Sequence, residues 1–163
     1  MIGAAMKKID WKNLSYDDFT GFVAVTAILL FVLYFGGLWY TTYDYRIQMR
    51  DQMVEMYQQL PNPIPPIEDD YGVHQRWLVF YIDGVKVLNK PQPENVINEY
   101  KKALEKEGWA TEREYEHVRN DKNKIYGINM RKGEFILSVS ARENRDSINI
   151  HLIKRDWIYN KGF

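Results

Sequence analysis

An uninterrupted apolar segment near the amino terminus, GFVAVTAILLFVLYFGGLWY at residues 21–40, constrains this chain more than any other feature. From Phe22 to Tyr40 it contains no charged residue. At about 1.5 Å per residue, a helix of this length crosses the roughly 30 Å hydrocarbon layer of a membrane. Aromatic side chains cluster at both ends of the segment, as they do at the two surfaces of a bilayer. The sequence therefore predicts a transmembrane helix over residues 21–42.

The main alternative is a signal peptide that is removed after secretion. Such a peptide has a shorter apolar region of roughly 7–15 residues, and small residues precede its cleavage site. Here the apolar segment ends in the bulky residues Leu38, Trp39 and Tyr40. This ending favours a retained anchor.

The basic residues that flank the anchor indicate its orientation. Lys7, Lys8 and Lys12 precede the apolar segment, and Arg46 and Arg50 follow it. Basic residues accumulate on the cytoplasmic side, and a long following domain crosses the membrane largely regardless of its charge. We therefore expect a short cytoplasmic tail over residues 1–20. The protein would be a single-pass protein of the cell membrane, with its bulk on the extracytoplasmic (periplasmic or cell-surface) side.

Residues 43–60 continue with helical character and are predicted to form a juxtamembrane helix. Four apolar side chains lie at spacings of four, three and four residues and form a seam on one helical face: Met49, Met53, Met56 and Leu60. The seam covers only two heptads, which is too short to assign a coiled coil, so two interpretations are open. Either this seam binds a partner protein or a second copy of the chain, or it packs on the chain's own folded domain.

Prolines between residues 61 and 66 end this helix, because proline lacks an amide donor and favours extended chain. The acidic residues Glu68, Asp69 and Asp70 follow, without the alternating oxygen ligands and closing glutamate of a calcium loop. Residues 61–76 are therefore predicted to be a Pro-rich linker with a solvated acidic end.

Residues 77–163 are predicted to form an extracytoplasmic α+β domain, with one helix packed on an antiparallel sheet in strand-helix-strand-strand-strand order. WLVFYI at residues 77–82 has the length and apolar composition of a buried strand. The dipeptide Asp83-Gly84 that follows it is predicted to be a turn, and VKVLN after this turn either extends the strand or forms its hairpin partner.

The clearest helix of this domain is PENVINEYKKALEKEGW, residues 93–109, which has one apolar and one charged face. Pro93 suits its first position, Gly108 suits a left-handed stop, and Trp109 would fold back on the last turn. Two later strands alternate between apolar and polar positions. Their apolar residues are Phe135, Leu137, Val139 and Ala141 in the first, and Ile148, Ile150 and Leu152 in the second.

A helix that ends in Gly108-Trp109, followed by a meander with a turn at Lys132-Gly133, resembles the small extracytoplasmic domains of many uncharacterised bacterial membrane-tethered proteins. The resemblance implies a fold and a location. It transfers no functional residue.

The composition excludes several kinds of chemistry. The chain has no cysteine, which removes disulfides, thiolate nucleophiles and cysteine-based zinc sites. Its net charge is zero, so nucleic acid is not expected as a partner.

The remaining candidates for chemistry lack a recognisable pattern. His74, His117 and His151 do not have the spacing of a helical metal site, and Ser138 and Ser140 lie outside any nucleophile elbow. The expectation is therefore a protein without cofactor or metal that is not an enzyme.

Four basic residues on neighbouring hairpin segments form a hypothetical patch for an anionic lipid, a glycan or an acidic partner: Arg131, Lys132, Arg142 and Arg145. The alternative is that these cations deter the pairing of sheet edges between molecules.

Two functions are compatible with this organisation. The first is a non-enzymatic subunit or adaptor of a membrane assembly that binds another membrane or envelope protein, with a homodimer as a further hypothesis. The alternative is a membrane-tethered sensor or binding domain for a small molecule or cell-wall fragment, in which Trp77, Tyr81 or Trp157 would stack on the ligand.

Overall fold

The computed structural model describes residues 16–76, 79–89, 92–118 and 123–155, with side chains from residue 19 onward. The chain divides into two compact units, Met1–Asp44 and Tyr45–Phe163.

The first unit consists, in its described part, of helix α1, Tyr16–Thr41. Its segment Phe19–Thr41 is long and apolar enough to cross a membrane, and none of it is buried inside the protein. Leu33, for example, is 70% exposed. A soluble domain normally covers an apolar surface of this extent. The prediction of an apolar helix that is long enough to cross a membrane is thus confirmed.

Helix α2, Tyr43–Gln58, is separated from α1 by one residue and belongs mainly to the second unit. The interruption lies at Thr42, whose hydroxyl donates a hydrogen bond to the carbonyl of Leu38 over 2.7 Å. Helix α2 ends just before the prolines, as their missing amide donors require.

The second unit contains a six-stranded antiparallel sheet, whose strands are β1 Glu68–Arg76, β2 Val79–Val87, β3 Ala110–Val118, β4 Lys124–Lys132, β5 Phe135–Arg142 and β6 Ser147–Lys154. Helix α3, Pro93–Lys106, lies between β2 and β3 in sequence. The strand order is β1-β2-β6-β5-β4-β3, so β1 and β3 are the edges. The α+β class and the antiparallel pairing are therefore confirmed.

The predicted strand-helix-strand-strand-strand order is corrected by this topology. Two strands precede α3 and four follow it, and the domain core contains α2 as well as α3. Residues 68–76, predicted to be the end of a linker, pair with β2 along their whole length as strand β1. The compact unit therefore begins at Tyr45 rather than at residue 77.

Helix α3 has the boundaries that its sequence indicates. Pro93 occupies its first turn, and Gly108 follows its end with a φ of +83°. The amide of Gly108 donates to the carbonyl of Glu105, and the amide of Trp109 donates to that of Leu104. These two bonds form a Schellman stop, and Trp109 is buried behind it.

One face of the sheet carries the hydrophobic core, and we call it the helix face. Side chains directly opposite each other on neighbouring strands share a face. The pairs Ile82–Leu152 and Leu152–Leu137 continue the same buried layer across three strands. This layer, α2 and α3 contribute to one core cluster.

The predicted turn at Asp83-Gly84 is wrong, because both residues lie in the middle of β2. Gly84 faces the phenol of Tyr57 on α2, and a Cβ at this position would overlap with that phenol. Glycine is needed here for the close approach of an aromatic ring to the strand, and not for a turn conformation.

Candidate functional site

The second face of the sheet is not covered by α2 or α3, and we call it the open face. A row of mostly polar residues crosses all six strands on this face, each residue directly opposite the next: Gly72, Asp83, His151, Ser138, Asn129 and Arg113. Ser138 and Asn129 are half-buried, and the charged or ionisable members are exposed. Because these residues alternate with core residues along each strand, the core fixes their positions.

A cluster of hydrogen-bonding side chains lies at the β1 end of this row. The Asp83 carboxylate lies 2.6 Å from Nδ1 of His151 and 3.8 Å from Nε2 of His74. The ring of Tyr81 stacks on His74 with 5.1 Å between centroids and lies 5.6 Å from the ring of His151. All of these side chains remain partly accessible. The cluster can donate and accept hydrogen bonds at the surface.

A shallow depression of about 560 Å³ lies toward the other end of the row. Tyr115 packs over Gly127, where a Cβ would overlap with its ring, so the glycine gives room for the aromatic side chain. The depression is lined by Arg113, Tyr115, Glu116, His117, Ile125, Asn129, Ser138 and Ser140. Its lining can bind a polar group through several donors.

A separate buried cluster lies on the helix face, where Lys86 is almost fully buried. Its Nζ lies 3.1 Å from the Asp69 carboxylate and also donates to the side chain of Asn62. The Tyr57 hydroxyl donates to Asp69 over 3.1 Å. Burial raises the pKa of Tyr57, and the charge of Asp69 raises it further. The cluster joins β1, β2 and the end of α2, and its role is structural.

The predicted partner-binding seam lies largely in the core. Met49, Met53 and Leu60 are at most 5% exposed, and Met56 is partly buried against the same cluster. The hypothesis of an exposed seam is therefore corrected. The seam packs on the chain's own domain, which is the alternative that the sequence left open.

The predicted basic patch is divided by the topology of the sheet. Arg131 and Lys132 lie at the end of β4 that turns into β5, whereas Arg142 pairs with Ile125 at the opposite end. Arg131 and Ile125 are six positions apart along β4, which corresponds to about 20 Å. Arg131 also forms an ion pair with Glu112. The four cations, including Arg145 just after β5, do not form one surface.

Other candidate residues have the following positions. His117 lies on edge strand β3, far from His74 and His151 in the strand order. Across the described residues, no group of three or more metal-binding side chains is arranged to hold an ion. Of the predicted stacking residues, Tyr81 lies on the open face. Trp77 and Trp157 lie outside the described residues.

Sequence reasoning missed the buried pair of Lys86 and Asp69. The signal was the alternation Phe80, Ile82, Gly84, Lys86, which places the lysine on the same face as two core residues once the strand continues through the glycine. The assumed turn at Gly84 interrupted this pattern. A buried lysine requires an acidic partner, which the neighbouring acidic segment supplies.

Comparison with known proteins gives no further assignment, since no protein-family model, no curated protein and no solved structure matches this chain.

Proposed function

We propose that this chain is a single-pass membrane protein whose second unit lies outside the cytoplasm and binds another membrane or envelope protein, as a non-enzymatic subunit or adaptor. The proposal rests on two observations: α1 has an exposed apolar surface, and the second unit has a core of its own. An apolar segment of this length is stable in hydrocarbon, where its backbone hydrogen bonds are satisfied within the helix.

The open face supports binding of a protein through this unit. Its central polar side chains, Ser138 and Asn129, are half-buried, and the same face also carries Tyr81, Tyr115 and Ile136. Protein interfaces commonly combine aromatic residues with direct hydrogen bonds. We assign the centre of the interface to Ser138, because this residue lies in the middle of the polar row.

Topology is tested with the full chain. A reporter enzyme that is active only outside the cytoplasm, fused after Phe163, should be active. Protease added to intact spheroplasts should digest the second unit. Protection of this unit from the protease would contradict the proposed orientation.

Partner binding is tested with a photo-activated cross-linking amino acid at Ser138, in native membranes. We expect a covalent adduct with a second membrane or envelope protein, identified by mass spectrometry. The matched control carries the same amino acid at Lys102, which lies on the exposed side of α3 and is remote from the open face. Adducts at Lys102 but not at Ser138 would contradict binding through the open face.

A second candidate function is binding of a small polar molecule or cell-wall fragment, which the depression around Tyr115 favours. The side chains of Arg113, Asn129 and Ser140 offer donors for the oxygens of a sugar or an anion. This function predicts that cell-wall fragments protect Tyr115 from chemical modification. The adaptor function predicts that the cross-linked protein partner protects it instead.

A further inference from the structure

The edge strand β1 has a charge pattern that is complementary to itself. Within the described chain, no strand pairs with its outer side. Acidic residues, Glu68–Asp70, occupy one end of the strand, Gly72 is its central residue and Arg76 is its last. Glu68, Asp70 and Arg76 form no ion pair among the described residues. These charges are therefore accessible to a partner that approaches the edge.

A second copy of β1 fits this edge in one antiparallel register. With a two-fold axis at Gly72, Glu68 lies opposite Arg76 of the second copy, and Asp70 lies opposite its His74. These pairs lie on the open face. On the helix face, Tyr71 lies opposite Val73 of the second copy, and both side chains are more than a third exposed. Because the interface is two-fold symmetric, each favourable pair occurs twice.

The other edge strand, β3, lacks this complementarity. Glu114 and Glu116 lie on the same face of β3, opposite Ile128 and Tyr126 of β4. In symmetric antiparallel registers centred on Glu114, Tyr115 or Glu116, a second β3 would place glutamate opposite glutamate. Such like-charge pairs destabilise a sheet. An irregularity in the pairing between Thr111 and Arg113 makes this edge still less suitable for pairing with a strand of a second copy.

We propose that two copies of this chain associate through β1, with the two-fold axis at Gly72, so that their sheets form one continuous sheet. The central glycine has no side chain of its own at the axis, and the imidazole of His74 lies over it on the open face. The interface uses the sheet edge and leaves the open face accessible. The inference therefore goes beyond the binding of a different protein and does not depend on it.

Cysteine cross-linking of the full chain tests the register. The chain has no cysteine, so introduced thiols are the only ones present. Opposite residues of antiparallel strands have Cα atoms about 4.5–5.5 Å apart, which suits a disulfide. Co-expressed, differently tagged copies that carry Asp70→Cys and His74→Cys should form a mixed disulfide dimer on mild oxidation.

The matched control uses the other edge, with Glu114→Cys and Glu116→Cys in the two copies, and should give no mixed disulfide. Absence of the Asp70–His74 cross-link would overturn the proposed register. Equally efficient cross-linking at β3 would also overturn it, since it would indicate random collision.

Charge reversal tests the electrostatic basis of the dimer. Either single variant, Glu68→Arg or Arg76→Glu, converts two attractive pairs into two repulsive ones. We expect the dissociation constant of the purified full-length dimer in detergent to rise roughly tenfold, measured by analytical ultracentrifugation.

The double variant Glu68→Arg with Arg76→Glu should restore the dimer, because the exchanged charges again lie opposite each other across the axis. Within one copy these residues are eight positions apart, or about 26 Å along the strand, so they cannot compensate each other directly. A double variant that is as weak as the two single variants combined would overturn the proposal.

Discussion

The two faces of the sheet are built from alternate residues of the same strands, yet they differ in almost every physical property. On the helix face, Ile82, Leu152 and Leu137 are completely buried. On the open face, their sequence neighbours Asp83, His151 and Ser138 remain accessible and polar. In this domain, a residue's position in the two-residue repeat of a strand therefore determines whether its side chain enters the core or stays accessible on the open face.

The largest expected effect comes from placing a charge at the centre of the helix face. Met53→Lys should destabilise the domain by more than about 4 kcal/mol, because Met53 is fully buried and the lysine would place a charge among apolar core residues. Thermal unfolding of the full chain in detergent, followed by near-ultraviolet circular dichroism, measures this loss. The control Glu55→Lys, on the exposed side of the same helix, should change stability little. Equal effects of the two variants would contradict the assigned packing of α2.

The buried pair on the helix face should respond asymmetrically to loss of either partner. Asp69→Asn leaves the ammonium of Lys86 buried without its counter-charge and should cost about 3 kcal/mol. Lys86→Met should cost less, because the Asp69 side chain is 34% exposed and water can solvate it. Chemical denaturation of both variants measures the difference. A larger loss of stability for Lys86→Met than for Asp69→Asn would contradict the prediction, because it would mean that leaving the ammonium without its counter-charge is not the main cost.

Alkaline pH should weaken the helix face through Tyr57. Its phenol has a raised pKa in the folded chain, and the ordinary value of 10.0 applies to the unfolded chain. The folded state therefore holds the proton more tightly, so this contribution is complete below pH 10 and is lost as the pH rises toward the folded pKa. We expect the unfolding temperature to fall above pH 10, and less steeply in Tyr57→Phe. Identical pH profiles would contradict this role of Tyr57.

The smallest effect on stability is expected on the open face. Ser138→Ala should change the free energy of unfolding by less than about 1 kcal/mol, because its side chain is half-exposed and outside the core. Its neighbour Val139 lies on the helix face, and Val139→Ala should cost about 2 kcal/mol. Denaturant titration of both variants provides the comparison. Asn149 lies on the open face of β6, diagonally across from Ser138. If the proposed function is correct, Ser138→Ala should reduce partner cross-linking from a photo-activated amino acid at Asn149. A loss of stability as large as that of Val139→Ala would instead place Ser138 in the core.

Elements governed by local interactions could be predicted from the sequence. The apolar length of α1, the start of α3 at Pro93 and its stop at Gly108 depend on neighbouring residues in the chain. The alternating apolar residues of β5 and β6 also determine which side chains enter the core, since a strand repeats every two residues. These features are independent of which strands become neighbours.

Contacts between residues far apart in the chain determine strand β1, the course of β2 through Gly84 and the candidate site. Glu68–Arg76 is a strand because β2 supplies its hydrogen-bonding partner and Lys86 supplies a buried counter-charge for Asp69. Gly84 lies within β2 because it pairs with Tyr71 and Ile150, and glycine is needed there because the Tyr57 ring occupies the space above it. The candidate site likewise required the strand order, which brings Asp83 next to His151 although they are distant in sequence.

Local patterns in the chain are sufficient to specify the apolar helix, the amphipathic helix α3 and the alternation of the central strands, because hydrophobic periodicity and backbone stops act over a few residues. Three other features emerge only when the strands and helices pack together: the burial of the Met49–Leu60 seam, the pairing of the acidic segment as an edge strand, and the set of polar residues that share the open face. These outcomes depend on contacts between residues far apart in the chain, and no local pattern specifies which of several compatible surfaces covers an apolar seam or pairs with a strand.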